Sequence, residues 1–215
     1  MNLNNLIEDL RQIFSNDFCG HDFDHTFRVF KLSEYIAKNE NIEFNIKIKL
    51  LALLHDVDDW KLEHIKNKNV SNLEYLSNKY EIIKDNLKFL VDNIPLISFK
   101  GNTKKNKLPI EVQIVQDADR LDALGAIGIA RAFSYGATKK RKMFDPNILP
   151  KEFKDFEDYK NNQSTTINHF YEKLLKLKDL MNTKTAKELA QKRHNYMLEY
   201  LGTFFDEWYI IENIS

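Results

Sequence analysis

The chain has 215 residues, 43% hydrophobic and 30% charged, with Lys+Arg and Asp+Glu both at 32 and a formal net charge of zero. That length supports one substantial core, and the balanced charge gives no electrostatic case for nucleic acid or an anionic membrane as partner. A single cysteine, Cys19, excludes an internal disulfide framework, and the longest apolar run, Leu50–Leu54, is too short to cross a bilayer. The opening MNLNNLIEDL lacks a basic-then-apolar leader, so a cytoplasmic protein is expected.

Helical periodicity runs through the sequence. Leu3, Leu6, Ile7, Leu10, Ile13 and Phe14 step at three and four, predicting an amphipathic first helix that ends before Cys19-Gly20. Asp22 or Asp24 can cap a second helix with Val29, Leu32 and Ile36 inward. A third is predicted from about Asn45 to Asp58, a fourth from the capping box Ser71-Asn-Leu-Glu74, and a fifth over roughly Glu81 to Asn93. Pro95 ends this run, and the loop Leu96–Pro109 carries Lys100, Lys104, Lys105 and Lys107 around Gly101. Helix resumes from Pro109 to about Ala123 and from Gly125 to Tyr135. A loose region over Gly136–Asn162 holds the basic run Lys139-Lys140-Arg141-Lys142. Two long helices close the chain, Thr166–Met181 and one opened by Thr185-Ala-Lys-Glu188 that runs to about Ile211. Neither an alternating strand nor an internal repeat is present. The expectation is an all-α bundle, a single domain over 1–215, with a motif-bearing core at about 20–135 and C-terminal helices at about 164–213.

Three segments carry metal-ligand chemistry. His25 falls in the first turn of the second helix, in HDFDHTFRVF, and His55-Asp56 falls at the end of the third, in LLHDVDDW, where the negative pole of the helix favours a cation. In VQDADRLDALGA, Asp119 and Asp122 share a helix face, and acids on so apolar a helix are costly unless paired or metal-bound. Imidazole suits Zn, Mn, Fe and Ni, and carboxylate suits Mg and Mn. A mixed set suits a divalent ion, Mn first, with Mg, Co, Ni, Fe or Zn also compatible.

The order H…HD…D resembles the HD superfamily of metal-dependent phosphohydrolases. LLHDVDDWK is similar to its HD signature and DADRLDALGAIGIARAF to its distal-aspartate segment. ISFKGN near Ile97, HFYEKLLKLKDLMNT near His169 and the Arg193-His194 helix resemble a bacterial subgroup of stand-alone, nucleotide pyrophosphohydrolase-like hydrolases. The resemblance implies that His25, His55, Asp56 and Asp119 bind one metal. Asp119 is preferred to Asp117 because the family ligand precedes Arg-Leu, which leaves Asp122 to orient a ligand or a nearby cation. His21 and His64 are read as rim residues.

Asp59, four residues after His55, is the candidate to take a proton from the attacking water. Arg28, three after His25, is the first candidate for a phosphate fork, followed by Lys61, Lys100 and Arg131. Lys173 and Arg193 lie in segments that the subgroup shares.

The expected activity is hydrolysis of a phosphate ester or anhydride of a small metabolite, with a nucleoside triphosphate split to monophosphate and pyrophosphate foremost. The alternatives are a nucleoside 5′-monophosphatase and a guanosine polyphosphate hydrolase. The latter branch carries Glu-Asp where this chain has Asp59-Trp60. A non-catalytic nucleotide-sensing domain is the reading from another class. Helices this amphipathic are compatible with a homodimer, but no exposed apolar stripe singles out an interface.

Overall fold

The structure is a computed structural model and describes residues 3–14, 22–58, 70–97, 108–152 and 164–212. Among these residues it contains ten α-helices, two 3-10 segments and no strand, so the fold is all-α. No helix there is long and apolar enough to cross a membrane. The chain divides into two compact units, Met1–Asp119 and Arg120–Ser215.

The first unit holds α1 (Leu3–Ile13), α2 (Phe23–Asn39), α3 (Ile46–Leu54), α4 (Asn72–Lys79), α5 (Glu81–Asp85), α6 (Leu87–Asn93), a 3-10 turn (Ile94–Leu96) and α7 (Ile110–Asp122) as far as Asp119. Its centre is α3. Ile48 and every residue from Leu50 to Leu54 are buried, so the second half of this helix is enclosed on all sides, while Lys47 near its start is exposed. Helices α2 and α6 pack on it. Helix α1 contributes Leu6 and Leu10, and its far side is tied down by Asp9, which accepts from Lys79 Nζ at 2.6 Å and Tyr80 Oη at 2.7 Å. Burial pushes the Asp9 carboxyl up, but the bonds from Lys79 and Tyr80 and the lysine charge outweigh it and lower it overall.

The second unit continues with α8 (Gly125–Thr138), α9 (Thr166–Glu172), a 3-10 segment (Leu174–Leu180) and α10 (Lys184–Glu212). Helix α8 packs on α9 and α10. The turn into α8 needs glycine: Gly125 has φ +74°, and a Cβ there would sit 3.1 Å from Arg193 Cγ. Burial lowers the Arg193 pKa, and the charge of Asp122 opposes that shift. The Arg193 guanidinium donates to the Leu121 carbonyl, and Arg120 donates to that of Leu180.

Four elements differ from their sequence expectation. Helix α3 stops at Leu54 rather than Asp58, because Val57 N reaches Leu54 O at 3.2 Å and closes a tighter turn over 55–58. The fifth predicted helix is two, α5 and α6, parted at Asn86, whose side chain donates to Ile82 O at 2.9 Å and competes with the backbone ladder. The run Thr166–Met181 changes to 3-10 after Lys173 (φ −136°, ψ −58°), which stacks buried Leu174 above Leu177 at the three-residue repeat of that helix. The last helix is capped by Thr183 rather than Thr185, for Ala186 N donates to Thr183 Oγ1 at 3.3 Å.

Candidate metal centre

Two local devices bring the histidines into place. Asp22 caps α2, its Oδ1 accepting from the backbone N of His25 at 2.7 Å, so the capping bond fixes the residue that carries the imidazole. His55 is the C-cap of α3, and its Nδ1 lies 2.9 Å from Ala52 O. A carbonyl can only accept, so Nδ1 carries the ring proton and Nε2 presents a lone pair. The Ala52 carbonyl was not legible as a functional group, since no side-chain pattern marks it.

The donor atoms then converge. His25 Nε2 lies 3.3 Å from His55 Nε2, 3.4 Å from Asp56 Oδ2 and 3.6 Å from Asp119 Oδ1, and His55 Nε2 lies 3.5 Å from Asp56 Oδ2. His25, His55 and Asp56 are buried, and together they form a group that can hold a metal ion. Asp119 is the open side, with 26% of its side chain exposed. The donor set fits a divalent ion. Bonds of about 2.0–2.2 Å place neighbouring ligands about 3.0–3.5 Å apart, close to the separations found. Two nitrogens and two carboxylate oxygens are also a borderline-hard set that Mn, Fe, Co, Ni, Zn and, less well, Mg accept.

The other sequence candidates fall elsewhere. Arg28 sits on α2 one turn beyond His25 and is half-buried. Asp122 is 2% exposed and accepts from Arg131 Nη1 at 2.8 Å, so these two residues form an ion pair within the second unit. Arg193 and His194 lie on α10, and Lys173 at the end of α9. The basic run is exposed apart from half-buried Arg141, and Lys142 pairs with Asp145 at 2.8 Å. Asp59, Lys61, Lys100, His21 and His64 lie outside the described residues. Because α3 ends at Leu54, the spacing of Asp59 from His55 no longer implies a shared helix face.

Comparison with known proteins identifies the family. Residues 22–124, which span all four converging side chains, match the HD domain family. A solved protein of Lactobacillus plantarum is 39% identical, with 97% of each chain covered and a TM-score of 0.83. An HD-superfamily hydrolase of Bacillus thuringiensis is 38% identical over 96% of each chain, with a TM-score of 0.69. YpgQ of Bacillus subtilis is 36% identical over 194 residues, covering 89% of this chain and 86% of its own length. Its crystal structure in complex with ADP superposes with a TM-score of 0.73 over 95% of this chain and 93% of that one. Relatives this similar over almost the full length carry the family as well as the fold: the chain belongs to the HD domain family and is a metal-dependent phosphohydrolase.

Proposed function

We propose that the chain hydrolyses nucleotides, splitting a nucleoside triphosphate into monophosphate and pyrophosphate at a single divalent ion held by His25, His55, Asp56 and Asp119. The observation that carries this reading is the convergence of four donor atoms from α2, the turn after α3, and α7, with His25 Nε2 within 3.6 Å of the other three. The nucleotide class is supported by the relative YpgQ, which was crystallised in complex with ADP. Manganese is the favoured ion because it accepts both imidazole and carboxylate.

The ion supplies Lewis acidity to the attacking water and to a phosphoryl oxygen. The chain's own residues do the rest. The Ala52 carbonyl keeps the proton of His55 on Nδ1 and so leaves Nε2 basic toward the site. Arg28 lies one turn beyond His25 on the same helix, where it can fork onto phosphate oxygens that do not reach the ion. Lys61 and Lys100 are proposed to add charge there, and Asp59 to take the proton of the water. Arg131, the last of the cations that the sequence nominates for phosphate, commits one nitrogen to Asp122. Asp122 in turn orients that cation.

The test is a turnover screen of the purified chain with Mn, Mg, Co or Ni added singly, against nucleoside tri-, di- and monophosphates and guanosine polyphosphates. Pyrophosphate released from triphosphates supports the proposal. Orthophosphate from monophosphates replaces it with a 5′-nucleotidase, and release of pyrophosphate only from guanosine polyphosphates replaces it with the third reading.

A further inference from the structure

Helix ends are where a backbone is least constrained, because the last four carbonyls have no partner inside the helix. His55 and Asp56 both lie just past the end of α3, so something other than the helix must hold them. On the upstream side the Ala52 carbonyl holds the His55 ring. On the downstream side the hold comes from a residue pair that no metal-ligand pattern includes. Asn72 Nδ2 donates to the Val57 carbonyl at 2.9 Å. Asp58 answers across the same gap, Oδ1 accepting from Asn72 N at 2.7 Å and Oδ2 from Leu73 N at 3.1 Å. Each residue's side chain thus grips backbone on the other's side, and Asn72 is buried.

Seen from α4, the same contacts complete a helix start. Of its first three N–H groups, Asn72 and Leu73 are taken by Asp58 and Glu74 by Ser71 Oγ at 3.1 Å. A carboxylate is the favoured group at this positive pole, so α4 and the turn stabilise each other. The sequence marks the Ser71 cap. It gives no sign that the acid two residues after Asp56 serves the same helix.

We propose that the Asp58–Asn72 clasp is a positioning device that sets the affinity of the metal centre, by fixing the peptide that immediately follows His55 and Asp56. The proposal rests on these two residues being ligands. Asp56 Oδ2 must stay near both imidazole nitrogens, at 3.4 and 3.5 Å, and its reach is governed by the backbone at 56–57. That backbone is tied by Asn72 on the Val57 carbonyl. Neither clasp residue is a ligand, so both act through Asp56 and His55.

The test is a Mn²⁺ titration of the full chain at 25 °C, read by the loss of free-ion electron paramagnetic resonance signal, with folding checked by circular dichroism. Asn72→Ala and Asp58→Ala are expected to weaken Mn²⁺ binding by about 10–100-fold, the range for groups that orient metal ligands. Asp58→Asn keeps one acceptor and a good capping residue, so it should recover affinity to within about 5-fold of the parent. In each weakened variant kcat should return toward the parent value at saturating Mn²⁺. Folded clasp variants that bind Mn²⁺ like the parent, with only a lower melting temperature, would reduce the clasp to a structural tie and overturn the proposal. Asp56→Ala separates the two levels. If it binds Mn²⁺ normally, the ligand reading fails; if it loses Mn²⁺ while the clasp variants keep it, only the clasp fails. Should Asp58→Ala not fold, Asn72→Ala and Asp58→Asn decide the matter.

Discussion

Asp56 and Asp122 are both aspartates, both buried and both adjacent to a helix end, yet their surroundings differ in kind. Asp122 faces a guanidinium at 2.8 Å, a permanent positive charge that compensates its own. Asp56 faces two imidazole nitrogens, at 3.4 and 3.5 Å, one of which has its lone pair turned toward the carboxylate by the Ala52 carbonyl. One arrangement is complete without any further ion. The other gathers electron-rich atoms and gains most when a cation joins them. Burial alone therefore does not separate a structural acid from a ligand. The kind of partner does: a guanidinium for one, imidazole donor atoms for the other.

The sharpest way to break that distinction is Asp56→Ala. It should abolish detectable Mn²⁺ binding and lower turnover by about 10²–10³-fold or more, the scale of losing a principal electrostatic element of a site. Calorimetric titration and an initial-rate assay on the same preparation check both halves. Full activity in this variant would sink the assignment.

Asp122→Ala should give the opposite profile. Removing it takes the paired carboxylate from Arg131, whose side chain is 17% exposed, and breaking a largely buried pair costs about 3 kcal/mol. For a chain of this size that is a fall of roughly 6–12 °C in melting temperature. Mn²⁺ affinity should stay within about 3-fold of the parent, well short of the 10–100-fold loss expected where a ligand is being oriented. Replacing both partners, Asp122→Leu with Arg131→Met, should restore most of the stability, since an apolar pair of similar volume is often as stable as the ions. A double variant no better than Asp122→Ala alone would show that the pair does more than balance its own charges.

What the sequence made legible follows from the range of the physics involved. Helix identity and the Asp22 and Ser71 caps depend on residues three or four apart, and their pattern was visible directly. The convergence of His25, His55, Asp56 and Asp119 spans ninety-four positions, so periodicity could nominate these residues but not bring them together, and the choice of Asp119 rested on resemblance. The points that escaped were set by long-range or main-chain contacts. Helix α3 ends early at a main-chain turn, Val57 N to Leu54 O, and Asp58 just beyond it is held from α4, fourteen positions on. The Ala52 carbonyl has no side-chain signature at all. Arg131 was nominated for phosphate by its charge, and its engagement with Asp122 could not be read from a spacing of nine residues.

The contrast extends in milder form to the histidines. His194 on α10 is buried, and its Nδ1 has no hydrogen-bond partner. Burial lowers its pKa below the ordinary value of 6.5, reinforced by Lys178 and opposed by Asp179 and a backbone bond at Leu175. The neutral ring is thus the form that the fold accepts. Below about pH 6.5 the unfolded chain takes up a proton that the folded chain resists, so unfolding is favoured increasingly as pH falls toward the depressed folded value. Above that range neither state is protonated and the effect vanishes. His194→Gln, which cannot titrate, should therefore flatten the decline of melting temperature between about pH 7 and pH 5 while changing it little at pH 8. Metal-free protein is the material to use, because protons also compete with the ion at His25 and His55. Parallel curves for parent and variant would mean that the acid sensitivity arises elsewhere, and that this buried histidine, unlike the pair facing Asp56, is electrostatically silent.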